Sequence, residues 1–430
     1  MKKVFLILLF VSFSLNQALA TSLRDALSLA YKKNSELNAE RENINVAKQE
    51  LKISKSDYFP TATITTSKSK EDTNKLTNQS GSDATISDVD PLNTSVKLEQ
   101  TLIDFGRGAD YTKNKIGIEL SEAQLLKKEQ LIFYKVIEVF SEVISSEEKL
   151  KINQKNLSLL QRQVENDKIR LERGQITISD LSQSESSLAG ARAQFIQAKN
   201  DFVTSKLNYE NVIGELKDSK LLEKKLNAIV AIPNSLNNAL ELSRKKNPDI
   251  IITSLELEQA EQDIKIAKSD LTPTATLSLE RSYVEDLSAT YDEREKDILK
   301  ATVSWPFYSG GKNIAKINKN RNLKNRKKLL LENAVKTTST NVASAWSKLN
   351  TSRSFLNAIK SQVGASEIAN EGISAEYEVG SRTTLDVIQS NTLLLNAKIS
   401  LADSERNYLL AQYNLLKSIG LLNSNYLKIQ

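Results

Sequence analysis

The chain has 430 residues, 59 Lys and Arg against 53 Asp and Glu, a formal net charge of +6, and neither histidine nor cysteine. The commonest general base, the commonest metal ligand and every thiol are thus missing, so no enzyme, cofactor or metal site is expected, and no disulfide framework. The basic excess is spread along the chain and not gathered in blocks, which fits solvated helix faces and not a nucleic-acid patch.

Residues 1–20 read as a signal peptide. Lys2 and Lys3 precede an apolar run from Val4 to Leu15, and Ala18-Leu19-Ala20 forms a small-x-small cleavage site before Thr21. That run is too short to cross a bilayer, and no other stretch approaches the roughly 20 apolar residues a membrane helix needs.

The remainder is written twice. Ser22-Leu23 with Ala26-Leu27 returns as Ser235-Leu236 with Ala239-Leu240, and Lys52 to Thr63 returns as Lys265 to Thr276, both 213 positions later. Gly174 with Asp180 to Ser184 returns as Gly380 with Asp386 to Ser390, 206 positions later. The spacing predicts a first repeat over 21–216, a linker over 217–234 and a second repeat over 235–430.

Each repeat opens with one helix, at about 22–57 and 235–270. Four strands follow, read from alternation and β-branched residues at 61–66, 93–102, 274–281 and 299–305. Each has a more apolar and a more polar face, and polar loops at about 68–92 and 284–297 join them in pairs. Tyr58, Phe59, Phe105, Trp305, Phe307 and Tyr308 gather at the helix-side ends of these strands. That placement suits a membrane-interface girdle, or equally aromatic side chains capping the core of a small soluble sheet.

Residues 107–232 and 307–430 contain no proline and are rich in helix formers. Their large apolar residues recur every seven: Val136, Val143, Leu150, Leu157, Val164, Leu171; Leu181, Leu188, Phe195, Phe202, Tyr209, Leu216; Val335, Val342, Leu349, Leu356, Val363; and Val387, Leu394, Leu401, Tyr408, Leu415, Leu422. Such ladders predict supercoiled helix pairs, each buried rung stabilising by about 1.5–3 kcal/mol. Gly174 and Gly380, each followed by Thr, break the helices into antiparallel coiled-coil hairpins.

Four strands cannot close a barrel, and open edges are not tolerated in hydrocarbon, so strands that enter a membrane must be pooled among copies. Two copies give eight strands and three give twelve; the periodicity does not choose.

In this order of elements the mature chain resembles the TolC family of outer-membrane efflux proteins. The resemblance rests on the two repeats, the turns Phe105-Gly106-Arg107 and Ser309-Gly310-Gly311-Lys312, and the stretch from Tyr377 to Val387. It implies a mainly α fold with a β-barrel part. Coiled-coil hairpins would form a periplasmic α-barrel, and four transmembrane strands per chain would join a homotrimeric 12-stranded β-barrel. It further implies a passive outer-membrane exit duct of a tripartite efflux or type I secretion system. Its partners would be outer-membrane lipid, a periplasmic adaptor and an inner-membrane ABC or proton-driven transporter.

The resemblance also implies a gate at the hairpin ends. Tyr377 and Arg382 would link to Asp180, and Asp386 would form an acidic ring, whereas Gln389 stands where a second ring is expected. Tyr377 replaces a ladder residue that is Leu171 in the first repeat. Position alone reads Asp180 and Asp386 as first-turn acids that complement the helix dipole. The main rival function is a periplasmic coiled-coil adaptor, which would carry one hairpin between β-rich flanks; this chain has two hairpins and no such flanks.

Overall fold

The computed structural model describes residues 22–429 apart from 73, 76, 78, 84–87, 217, 218, 220, 221, 223–230 and 289–290. The expected signal peptide, most of the linker and parts of both strand-joining loops lie outside the described residues. The elements in chain order are α1 (Leu23–Lys33), α2 (Ser35–Ser56), β1 (Thr61–Lys68), β2 (Leu92–Ile103), α3 (Arg107–Glu172), α4 (Ile178–Val212), α5 (Leu236–Lys246), α6 (Pro248–Ser269), β3 (Thr274–Glu285), β4 (Glu293–Ser304), α7 (Lys312–Glu378), α8 (Thr384–Ile419) and α9 (Ser424–Leu427). They form two compact units, each drawn from both halves of the chain: 1–39, 126–247 and 337–430 make one, 40–125 and 248–336 the other.

The single helix expected at the head of each repeat is two helices. Asn34 and Asn247 interrupt them in extended conformation, at φ/ψ of −65/121° and −70/124°. Pro248 crowds the residue before it out of helical geometry. Asn34 achieves the same break by bonding, its Oδ1 accepting from the Leu37 amide at 3.0 Å, as an N-cap does.

The second unit contains the sheet, antiparallel throughout in the order β1-β2-β3-β4. The β2–β3 pairing joins the two repeats, and among the described residues the outer edges of β1 and β4 have no strand partner. β4 begins earlier than its sequence pattern predicts: Glu293 to Asp297 pair with β3, and Arg281 on β3 bonds Glu295 at 3.2 Å. Cross-strand charge pairing thus extends a hairpin whose alternation of apolar residues has already ended. The helices of this unit have a small core of Ile116, Ala123 and Leu255, supplemented by ion pairs such as Lys113–Asp263 at 2.8 Å and Lys327–Glu256 at 2.7 Å.

The first unit holds the turn-bearing parts of both hairpins, from 126 and from 337 onward, and their turns are duplicates. Gly174 and Gly380 have φ of 67° and 83°. The next amide reaches back five residues each time, Gln175 to the Arg170 carbonyl at 2.8 Å and Ser381 to that of Glu376 at 2.9 Å. Thr177 and Thr383 then start α4 and α8 in capping boxes with Asp180 and Asp386.

The seams follow the expected ladders in part: Val136, Val143 and Val164 on α3, Tyr209 on α4, and Val387 and Leu415 on α8 are buried. On α4 the other buried positions are Ser184, Ala191, Ala198 and Ser205, while Leu181, Leu188, Phe195 and Phe202 are half-buried beside them. On α8 the equivalents 206 residues later, Ser390, Ala397, Ser404 and Ala411, are buried as well. Opposite α4, helix α3 buries Ser146, Asn153, Leu160 and Asp167, again seven apart. The Ser146 and Ser205 hydroxyls meet at 2.7 Å and Ser184 donates to Asp167 at 2.5 Å, which fixes the antiparallel register. Small residues therefore sit where the helices come closest, and the large ladder residues flank the contact. Helix α7 follows expectation more closely, with Val342, Leu349, Leu356 and Val363 all buried.

The main core lies away from the hairpin turns, where Phe133, Phe140, Tyr209, Tyr413, Leu416 and Ile419 pack with Leu27 of α1. Helix α8 ends here at Gly420, φ 98°, with Leu421 N donating to the Leu416 carbonyl at 2.8 Å. Asn247 Nδ2 donates to the Ser418 carbonyl at 2.8 Å. A Cβ on Gly420 would collide with the Lys246 carbonyl, whereas one on Gly380 meets nothing. Gly380→Ala is accordingly expected to cost about 1 kcal/mol, the left-handed penalty alone. Gly420→Ala adds backbone displacement and is expected to cost about 3 kcal/mol. Thermal unfolding followed by circular dichroism orders the two.

Candidate functional site

Two regions carry polar or aromatic groups that packing alone does not require: the hairpin ends in the first unit and the sheet in the second.

At the hairpin ends, Asp180 Oδ2 accepts from the Thr177 amide at 2.9 Å and hydroxyl at 2.8 Å. Asp386 Oδ2 does the same with Thr383, at 2.9 and 2.8 Å. These backbone and hydroxyl bonds hold both carboxyls below the usual carboxylate range, with the Arg382 charge adding to the effect at Asp386. Arg382 Nε donates to Glu376 Oε2 at 2.6 Å, which raises the guanidinium pKa.

Tyr377 is buried and goes elsewhere. Its hydroxyl donates to Asp167 Oδ1 at 2.7 Å, lies 3.1 Å from the donating Gln163 Nε2, and 3.3 Å from Thr384 Oγ1. The Arg170 guanidinium stacks over its ring at 4.4 Å. Within one chain, then, Tyr377 is held by Asp167 on α3 and not by Asp180. The reason is position: Asp167 sits on the buried seam that Tyr377 faces, while the bonded Asp180 oxygen is taken by its own cap. Asp167 is fully buried, and it accepts from Tyr377 and Gln163 on one oxygen and from Ser184 on the other. Sequence reasoning missed it. The available signal was an acid at the end of the seven-residue series Ser146, Asn153, Leu160, Asp167.

In the sheet, the register sorts the side chains by face. Ala62 and Ile64 pair with Leu98 and Val96, Leu98 with Leu279, and Leu279 with Leu299. The opposite face carries Thr61, Thr63, Glu99, Lys97, Ser278, Glu280 and Lys300. One face is thus apolar although exposed, and the other polar. The apolar residues of this face run along β4 from Leu299 through Ala301 to Val303, with Trp305 just past the end of the strand, about 20 Å at ~3.4 Å per residue, somewhat shorter than the ~25 Å band of outer-membrane barrels. Arg281, with Glu295 and with Asp297 at 3.9 Å, ends it on one side.

On the other side stand Tyr58, Phe59, Phe105, Trp305, Phe307 and Tyr308, all exposed, Phe307 at 83%. Trp305 Nε1 donates to the Leu271 carbonyl at 3.0 Å, Trp305 and Phe307 meet edge to face at 6.4 Å, and the Arg107 guanidinium covers Tyr58 at 4.8 Å. Rings this exposed do not cap a core within the chain.

A sheet with an apolar outer band and open edges, joined in sequence to two long helical hairpins, defines a channel subunit. The chain belongs to the Outer membrane efflux protein family, whose match covers residues 26–215 and again 239–421, following the two repeats. It is 26% identical over 419 residues to the outer membrane efflux protein BepC of Brucella suis biovar 1, covering 96% of this chain and 88% of that one. It is 23% identical to the outer membrane protein TolC of Escherichia coli, covering 76% of this chain and 69% of TolC. The open-state MtrE outer membrane channel of Neisseria gonorrhoeae superposes with a TM-score of 0.78 at 17% identity, covering 93% and 89% of the two chains. The TolC-family membership read from the sequence therefore holds. The protein is an outer-membrane exit duct for efflux or secretion, extending into the periplasm, from a family of channel proteins. This replaces the adaptor alternative.

Two outcomes follow from the geometry. Because the Asp180 and Asp386 pKa values are lowered in the fold, their caps contribute full stability above the ordinary carboxylate value and lose it as pH falls through the lowered one. Amide exchange at Asp180 and Asp386, corrected for intrinsic rates, should be flat from pH 7 to about 4 and accelerate below it, and Asp→Asn variants should abolish that dependence. In the sheet, Leu279→Arg places a charge on the apolar face and is expected to destabilise the vesicle-folded protein by about 2–4 kcal/mol in guanidinium titrations, whereas Ser278→Arg, one residue away, costs about 1 kcal/mol or less.

Proposed function

We propose that three copies of the chain form the duct, closed at its periplasmic end by the hairpin tips and opened when a periplasmic adaptor and an inner-membrane ABC or proton-driven transporter engage it. The unpaired edges of β1 and β4 carry this reading. Each edge is a row of backbone donors and acceptors that hydrocarbon cannot satisfy, so β4 of one copy pairs with β1 of the next. Three copies give twelve strands and a lumen, with the polar face of Lys97, Glu99, Glu280 and Lys300 inward and the apolar face against lipid. Tyr58, Phe59, Phe105, Trp305, Phe307 and Tyr308 then sit at the periplasmic membrane interface.

At the hairpin turns, Arg382 is exposed beside Glu376 and Asp180 is half-buried, its carboxylate in the first turn of α4, so both are placed to link neighbouring copies. A charge-assisted Arg–Asp bond is strong enough to hold a closed state, and competing contacts from a partner can release it. Asp386, repeated three times around the axis, makes one ring of carboxylates at the constriction, and Gln389 beside it adds no second ring.

The combined Arg382→Ser, Tyr377→Phe variant tests this in planar bilayers. Its trimer should persist on native gels while single-channel conductance rises several-fold. Unchanged conductance would remove the latch, and a monomer in detergent would remove the assembly.

A further inference from the structure

We infer that Asp167 is the positioning residue of the gate, a buried carboxylate that fixes where α7 rests on the first hairpin. The inference builds on the reading of the hairpin ends as a gate and names the group that holds them.

The two repeats correspond at 206 residues here, so Tyr377 corresponds to Leu171 and Asp167 to Ile373. Each repeat therefore keeps the apolar residue at one of the two positions and has a polar residue at the other. The two polar residues bond to each other, at 2.7 Å, across the boundary between hairpins. Neither is explained by the fold alone, since the matching position in the other repeat is filled by leucine or isoleucine.

The carboxylate is costly to bury. Asp167 is fully buried, and among the described residues no Lys or Arg forms an ion pair with it; Arg170, one turn on, faces the Tyr377 ring instead. Three donors compensate it: Tyr377 from α7, Ser184 from α4 and Gln163 from α3. Ser184 and Gln163 belong to the first hairpin and travel with Asp167 if that hairpin moves as a body. Tyr377 alone comes from the second. Sliding α7 away thus strips one donor from a buried charge, an opposition to opening that an apolar seam would lack. Because partners on two other helices must be met at once, the bond also sets position and not only closure.

The test is a double-mutant cycle on single-channel conductance and open probability in planar bilayers, with thermal unfolding of each trimer alongside. Tyr377→Phe and Asp167→Asn are each expected to shift the open-to-closed ratio about tenfold. The double variant should shift it no further than the larger single, since both remove one bond. Asp167→Ile, the residue the second repeat carries, removes the charge and restores packing. It should unfold at or above the wild-type temperature and still leak, which separates positioning from mere stability. Glu185→Gln breaks the exposed Lys168–Glu185 pair across the same hairpin, 3.5 Å long, and should leave conductance unchanged.

Additive effects of Tyr377→Phe and Asp167→Asn, wild-type conductance in both Asp167 variants, or equal leakage from Glu185→Gln would overturn the role of Asp167 while leaving the gate in place. If the Arg382→Ser, Tyr377→Phe variant also conducts as wild type does, the gate reading falls and this inference with it.

Discussion

Two rows of backbone groups on the outer edges of β1 and β4, without a strand partner among the described residues, constrain the assembly of this protein. In water such edges are a hazard managed with charge or bulges; in hydrocarbon they are not viable. Every side chain of β1 is exposed, and Ile64 on it is apolar, so the edge is suited to neither solvent nor self-burial. The pooling of strands among copies follows from satisfying these groups. The β2–β3 pairing gives this constraint its reach, because it fuses the strands of both repeats into one sheet and leaves one chain with two edges in place of four.

The hairpins pack by a different rule. Ser184, Ala191, Ala198 and Ser205 let α4 approach α3 closely without large interlocking side chains, and the same spacing recurs on α8. Dispersion over a close contact stabilises such a seam. Between hairpins the contacts include half-buried ion pairs, among them Lys149–Asp403 and Arg406–Glu142, both at 2.5 Å. The large side chains are kept instead for the core around Phe133, Phe140 and Tyr413, where α8 ends against α5 at a glycine that admits no Cβ.

What the sequence could disclose followed from how local the cause is. The hairpin turns were legible because a left-handed Gly, a Thr cap and an Asp three residues later act within one turn of chain. Strand positions were legible from alternation, but the start of β4 was not, since Glu293 to Asp297 pair through charge and carry no hydrophobic period. The breaks at Asn34 and Asn247 were hidden by continuous helix-favouring composition on both sides, although Pro248 marked one of them. The ladders were legible in part: Val136, Val143, Val164, Tyr209, Val387 and Leu415 are buried, while Leu181, Leu188, Phe195 and Phe202 flank a contact whose own residues are small or polar and carry no apolar period. Asp167 was lost the same way, overlooked at a seam while acids at the turns, which act as caps, drew attention.

Duplication also explains how a buried polar bond comes to join the two hairpins near their ends. Two identical repeats would present Leu171 to Ile373 equivalents on both sides, an apolar contact with no preferred position along the helix axis. Had both repeats acquired both polar residues, two buried carboxylates would need compensation and each hairpin would compete for two tyrosines. Divergence at one position in each repeat yields a single buried acceptor and a single donor from the opposite hairpin, with Ser184 and Gln163 completing the acceptor locally. A symmetric scaffold thereby gains one directional contact between its hairpin ends.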